Sequence, residues 1–381
     1  MKRILVLANS SSGAFQFRKE LFQALIAKGY SVALSNPDHE KTKELKKIGC
    51  KTITTNMERR GANPLKDIQL FMDYVRLIKK ERADIVLTYT IKPNVYGGFA
   101  CQVTGTPYIT NVTGLGTAIE NGGIMQLLTT NLYKLGLRRA ACVFFQNSNN
   151  RRFFMERKLI RAKTRLIPGS GVNTAFHKYE EFPDEKDGVR FLFVGRIMKD
   201  KGIEELLSAF DVIHREYPLV SLDIVGSFDE DYSSSLDKAV CEGYVRYHGS
   251  QDDVHSFYKN THCVVLPSYH EGMSNVLLEG ASTGRPVITT FVPGCKETFE
   301  EGKTGFGCKV RSSESLIGAL RAFIALSNEE KAAMGKAGRK KVVKEFDRSI
   351  IVKAYLNEIE KITEKEIVKS TMQELFFKGT L

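Results

Sequence analysis

No stretch of this 381-residue chain is apolar for long enough to span a bilayer. The opening residues, MKRILVLANSSSG, lack the long apolar region and small-residue cleavage site of a secretory leader, and read as a first β-strand. The seven cysteines (Cys50, Cys101, Cys142, Cys241, Cys263, Cys295 and Cys308) are odd in number and never in C-x-x-C spacing. That argues against a disulfide framework or a zinc site, and they read as small core residues of a reducing cytosol. Asp229-Glu230-Asp231 has D-x-D spacing, but it stands at a helix start and reads as a surface cluster, not as a seat for a metal-bound diphosphate. No short-period repeat and no recognised nucleic-acid motif occurs. Residues 1–170 contain a single histidine, His39, in a turn at a helix start.

What is present is ordinary in bulk and uneven in distribution. The chain is 42% hydrophobic and 26% charged, and long enough for two domains that each bury a full core. Of the net charge of +12, residues 1–170 carry 28 Lys and Arg against 11 Asp and Glu, whereas residues 171–381 carry 28 against 33. A basic half suits nucleic acid, an anionic membrane surface or a phosphorylated substrate, and composition does not choose among them.

Short β-branched runs alternate with helical patterns, the signature of parallel βαβ units. The first half predicts strands at 4–8, 31–35, 51–55, 84–89, 107–112 and 142–146, with helices at 15–29 and 64–81. In the second helix Leu65, Ile68, Phe71, Met72, Val75 and Ile78 share one side. Residues 164–188, rich in Gly, Pro and acids, read as a linker. The pattern then restarts, with strands at 190–195, 219–226, 244–249, 262–267 and 286–290. Two successive α/β sheets result, dividing the chain into 1–170 and 171–346. The end, STMQELFFKGTL, reads as a helix or a frayed tail.

Ligands of parallel sheets gather at the carboxyl ends of the strands. VGRIMKDKG (194–202) leaves one strand with Arg196 and Lys201, and PSYHEGMSNVLLE (267–279) leaves another with Glu271 in the turn. Ser274 or Asn275 suits an N-cap, which places Glu279 on the second helical turn. A sugar nucleotide needs such groups. Arg196 offers a planar fork and Lys201 a point charge to the diphosphate. The helix start at Ser274, Asn275 and Val276 offers backbone N–H groups, and Gly272 lets the backbone approach closely. Glu279 suits ribose hydroxyls and Glu271 the hydroxyls of the sugar. The plain alternatives are solvated surface charges, or a Glu279–Arg285 pair.

Taken together, VGRIMKDKG, PSYHEGMSNVLLEGASTGRPVITT and GKTGF (302–306) resemble the family 4 retaining glycosyltransferases of the GT-B fold. Glu271 and Glu279 match that family's E-x7-E signature, and Arg196 with Lys201 its phosphate-binding pair. The resemblance covers essentially the whole chain. In the first half, NSSSGAFQFRKEL, TYTIKPNVYGGFA and NVTGLGTAI resemble the capsular-polysaccharide and lipid-linked-oligosaccharide branch.

The resemblance implies two Rossmann-like domains facing a central cleft, the acceptor on the first and the donor on the second, with a final helix (about 347–381) packed back on the first domain. It implies metal-independent, retaining transfer of a hexose or N-acetylhexosamine from a UDP-sugar to a polyprenyl-diphosphate-linked saccharide, in surface polysaccharide or glycan synthesis. No cofactor or metal is expected beyond the substrate. Arg196, Lys201 and Glu271 are the expected catalytic groups. Gly13, Gly272, Met273, Ser274, Asn275, Val276 and Glu279 join them in holding the donor, with 248–257 bordering the base. Lys92, Asn94, Asn111 and Thr113 leave first-half strands on the acceptor side. Many relatives carry a first-domain histidine in the cleft, a feature that His39 does not match.

Residues 124–165 hold ten basic residues against one acid. Leu127, Leu128, Leu132, Leu135 and Leu137 beside Arg138 and Arg139 predict a membrane-facing amphipathic patch, and hence a cytoplasmic protein peripheral to the inner face of the cell membrane. Two rivals remain. A sugar-nucleotide epimerase on the same architecture would need acid/base carboxylates and histidines in the cleft. A nucleic-acid-binding protein would interleave basic residues with exposed aromatics.

Overall fold

A computed structural model of the chain describes residues 1–58, 63–114 and 123–378. It divides into two compact units, Met1–Ser170 with the chain from Ser349 on, and Gly171–Arg348.

The first unit holds seven parallel strands: β1 (Arg3–Leu7), β2 (Ser31–Asn36), β3 (Lys51–Thr54), β4 (Ile85–Tyr89), β5 (Tyr108–Val112), β6 (Cys142–Phe145) and β7 (Thr164–Leu166), in the order β3-β2-β1-β4-β5-β6-β7. Strands β4, β5 and β6 are buried along their whole length, as central strands covered on both faces must be. Separate apolar clusters line the two faces. The helix Ser11–Ala27 starts earlier than its apolar periodicity predicts, because Ser10 caps it by accepting from Gly13 N. The long helix Arg348–Lys378 adds Ile351, Tyr355, Ile359 and Ile362 to the cluster holding Ile4, Leu34 and Phe144. Its run to Lys378 covers most of the stretch read as a helix or a frayed tail. The end of the motif NVTGLGTAI, from Leu115 on, lies outside the described residues.

The second unit holds six parallel strands: β8 (Arg190–Val194), β9 (Ser221–Val225), β10 (Val245–Tyr247), β11 (Cys263–Leu266), β12 (Val287–Thr290) and β13 (Gly305–Cys308), in the order β10-β9-β8-β11-β12-β13. In each sheet the order reverses once, between β1 and β4 and between β8 and β11. These reversals are the switch points where open α/β sheets bind ligands.

The linker reading of 164–188 needs correction. Its first residues form β7, paired with β6. From Gly171 on it belongs to the second unit and is strapped there by two arginines. Arg285, fully buried, donates to the carbonyls of Tyr258, Lys259, Glu180 and Glu181. Arg339 reaches the carbonyls of Thr174 and His177. Six of the seven cysteines are buried, Cys241 alone being exposed.

Candidate active site

The loops leaving β8 and β11 meet at the switch point of the second sheet. Gly202 closes the turn Lys199–Lys201 at φ 72°, and a β-carbon there would stand 2.2 Å from the Pro267 carbonyl, so only glycine lets the backbones come this close. Tyr269 N donates to the Asp200 carbonyl at 2.9 Å, and the His270 ring lies 3.5 Å from the Asp200 carboxylate.

Within this zipped pair of loops Lys201 and Glu271 form an ion pair, both side chains mostly buried. Ser268 Oγ donates to the same Glu271 oxygen at 3.0 Å. Arg196 points elsewhere: it is half exposed and pairs with Asp229 at 2.7 Å. Arg196 and Lys201 thus have separate counter-ions, one on each neighbouring loop.

Ser274 caps the helix Asn275–Ser282 through its side chain, and its own N–H donates to the Gly294 carbonyl at 2.8 Å. Gly294 has φ +85° and lies so near the Glu271 carbonyl that a β-carbon would be 2.5 Å away. Gly272 is half-buried in the turn. Met273 is buried in the core, so it brings only its backbone to the site. Val276 packs partly on the same core, while Asn275 is half-buried with its Oδ1 unpartnered among the described residues.

Glu279 is buried, and it does not pair with Arg285. Its Oε2 accepts from the Tyr258 hydroxyl at 3.0 Å, and His177 Nε2 stands 4.0 Å from Oε1. Burial pushes its carboxyl up to about 7, against the opposing pull of the Tyr258 hydrogen bond and the Arg348 charge.

In the first unit the residues at the strand exits have internal partners. Gly13 N donates to Ser10 Oγ at 3.3 Å, and Ser11 N donates to the Asp38 carboxylate at 3.0 and 3.1 Å, so a carboxylate of the chain itself faces this helix start. Lys92 pairs with Asp67 at 2.8 Å with both side chains mostly buried, and Tyr96 donates to the other Asp67 oxygen at 3.0 Å. Asn94, fully buried, donates to the Asn111 carbonyl at 2.9 Å, and Asn111 donates to the Tyr355 hydroxyl at 2.8 Å. Thr113 is half-buried just past β5. His39 stands 3.4 Å from the Thr54 hydroxyl.

The Glycosyl transferase 4-like family model matches residues 3–147, and the Glycosyl transferases group 1 model matches residues 176–341. The chain is a glycosyltransferase, with a first half that matches the 4-like model and a second half that matches the group 1 model. This glycosyltransferase is 25% identical over 373 residues to the N,N'-diacetylbacillosaminyl-diphospho-undecaprenol alpha-1,3-N-acetylgalactosaminyltransferase of Campylobacter jejuni, a match covering 93% of this chain and 97% of that one. It is 29% identical over 314 residues to the capsular polysaccharide biosynthesis glycosyltransferase CapM of Staphylococcus aureus, covering 76% and 81%. Among solved structures, sucrose-phosphate synthase from Thermosynechococcus elongatus superposes with a TM-score of 0.78 at 19% identity, covering 96% of this chain and 100% of that one. Anabaena HepE, in complex with UDP and glucose, gives a TM-score of 0.77 at 18% identity, covering 95% and 100%. These two likenesses give the architecture, the GT-B pair of parallel sheets.

Several groups of this glycosyltransferase escaped sequence reading. Asp67, His177 and Tyr258 contact the expected residues from 21 to 102 positions away in sequence, and Tyr96 in turn holds Asp67. Arg18, 5% exposed, stacks its guanidinium 4.7 Å from the centre of the Tyr89 ring. No local pattern marks such partners. The helical spacing of Arg18 on Ser11–Ala27 was the one available hint, since it falls on the buried stripe with Ala14, Leu21, Phe22 and Leu25.

Proposed function

We propose that this glycosyltransferase moves a hexose or N-acetylhexosamine from a UDP-sugar to a saccharide carried on polyprenyl diphosphate, with retention at the anomeric carbon and without a metal. The observation that carries the reading is the Lys201–Glu271 pair at the second switch point, with Arg196 on the same loop and Glu279 on the helix that follows. The relative's polyprenyl-diphosphate acceptor supports the choice of acceptor, and HepE's bound UDP supports the donor.

In this reading the donor diphosphate takes Glu271's place beside Lys201 and draws on Arg196. Glu271 then accepts hydrogen bonds from the sugar, and Glu279 from the ribose. The anomeric C–O bond to the β-phosphate breaks as the acceptor oxygen bonds to the same face of that carbon. The acceptor hydroxyl proton passes to the departing phosphate oxygen. The two cations stabilise the charge that grows there.

The basic first unit would hold the enzyme at an anionic leaflet. On the helix Gly123–Gly136, Ile124, Met125, Leu127, Leu128 and Leu135 are exposed, and Arg138 and Arg139 follow it exposed. Leu137 belongs to the core and Leu132 is half-buried, so the apolar patch is shifted toward the start of the helix from the one the sequence predicts. Among the described residues no helix is long and apolar enough to cross a membrane.

The test is a thermal-shift panel of nucleotide sugars, followed by mass spectrometry of reactions with lipid-linked saccharides. Stabilisation by UDP-sugars and a mass gain of one sugar on the lipid-linked acceptor support the proposal. Isomer exchange of the donor without any acceptor would favour an epimerase instead.

A further inference from the structure

The helix Pro64–Glu81 carries two apolar stripes. Leu70, Tyr74, Leu77 and Ile78 enter the core, while Leu65, Ile68 and Met72 stand 81%, 60% and 41% exposed. Beside the outward stripe lies a cavity of about 430 Å³, lined by Asp67, Ile68, Phe71, Tyr96, Phe99, Gln102 and Val103. Its wall is apolar and aromatic, apart from Gln102 and the end where Asp67 is already held by Lys92 and Tyr96. Such a lining has no vacant charge to offer a polar ligand.

Two features join this cavity to the rest of the first unit. Tyr96 belongs to the π-helical turn Pro93–Gly97, which follows the exit of β4, where Lys92 and Asn94 sit. At the other edge Gln102 donates to the Leu135 carbonyl at 2.9 Å, so the cavity adjoins the helix whose exposed leucines and following arginines form the basic, apolar face. A β-carbon on Gly98 would stand 2.2 Å from the Gly136 carbonyl, so the helices Gly98–Thr104 and Gly123–Gly136 are in backbone contact.

We propose that this cavity takes the hydrocarbon chain of the lipid-linked acceptor, at the segment next to its diphosphate. The inference rests on the acceptor reading above. A cavity of this size has room for a run of chain methylenes, each comparable to the ~30 Å³ of a liquid water. A chain seated there runs from the apolar face of Leu65, Ile68, Met72 and Val103 toward the exit of β4. Arg138 and Arg139, exposed just before β6, stand at the opposite edge of the sheet and suit the anionic leaflet from which the chain enters.

The chain contains no tryptophan, so Phe71→Trp places a unique fluorophore in the cavity wall. The probe is a brominated twelve-carbon alkyl diphosphate, used as a monomer without vesicles. Quenching is expected to saturate, to be reversed by farnesyl diphosphate but not by inorganic diphosphate, and to need at least tenfold more probe when Val103→Glu is added. Absent or non-saturating quenching overturns the proposal, as does quenching indifferent to Val103→Glu, provided circular dichroism shows both variants folded. A second readout separates this failure from failure of the acceptor reading. With acceptors of long and short chain, Val103→Glu should raise the ratio of their KM values at least tenfold. An unchanged ratio with active enzyme overturns the cavity and leaves the acceptor reading standing. Saturable quenching without transfer to any lipid-linked acceptor overturns the acceptor reading, and the assignment of the chain to the acceptor with it.

Discussion

Lys201 and Glu271 hold each other across the two loops that flank the strand-order reversal of the second sheet. In the proposed donor site such a pair would keep a cation ready for a phosphate without leaving it unpaired in the meantime. Lys201→Ala is therefore expected to lower kcat by ~10²–10³, the range for losing one preorganised donor to developing charge. Arg196→Ala should act in the same direction. Turnover at saturating donor checks both, and wild-type kcat in each variant would remove the site.

Glu279 makes stability depend on pH. Its folded-state carboxyl is raised from 4.5 to about 7, so the folded protein binds more protons than the unfolded chain between those values. The stabilisation from this group is full below pH 4.5 and declines as pH rises to about 7. Glu279→Gln should flatten that part of the profile and gain on the wild type at pH 8 by on the order of 3 kcal/mol. Denaturant unfolding of both proteins at pH 5 and pH 8 measures it, and parallel profiles would refute the burial argument.

Arg285 ties four backbone carbonyls together in the interior. Arg285→Leu leaves those acceptors without their donor and is expected to destabilise the protein by about 3 kcal/mol. Arg285→Lys should recover little, because one ammonium cannot reproduce the guanidinium fork. Calorimetric unfolding gives the comparison.

Membrane association predicts a charge effect. Each basic residue beside an anionic leaflet contributes about 1 kcal/mol, so Arg138→Glu with Arg139→Glu should weaken vesicle binding by roughly tenfold or more. Co-sedimentation with anionic vesicles is the measurement, with zwitterionic vesicles as the control. Equal binding by wild type and variant would remove the membrane claim.

Transfer is also expected to persist at its full rate after exhaustive treatment with a chelator. Loss of activity restored by one divalent ion would replace the metal-free mechanism.

How much of this was legible in the sequence varied with how local the cause was. The strands read from β-branched runs all exist, and the helix Pro64–Glu81 has the predicted bounds. Its burial was not legible, because a helix with two apolar stripes does not say which one meets the sheet. β13, sequence GFGC, is half glycine and lacks strand propensity; pairing with β12 makes it a strand. The strap after residue 170 looked like a linker because the arginines that hold it, Arg285 and Arg339, come more than 100 residues later. Glu279 was legible as a site candidate from its spacing to Glu271. Its proton affinity was not, since that follows from burial beside Tyr258, which the fold alone brings near.

The closing helix has a consequence for synthesis. Ile351, Tyr355, Ile359 and Ile362 complete the face of the first sheet that includes Phe144, whose ring centre is 4.5 Å from that of Tyr355. A ribosome reaches those residues only after making all of Gly171–Arg348, which at about 5–20 residues per second takes roughly 10–40 s. Throughout that interval the nascent first lobe exposes a greasy half-face with its own cover still unmade, so a chaperone must guard it or the second lobe must fold fast enough to keep out of its way.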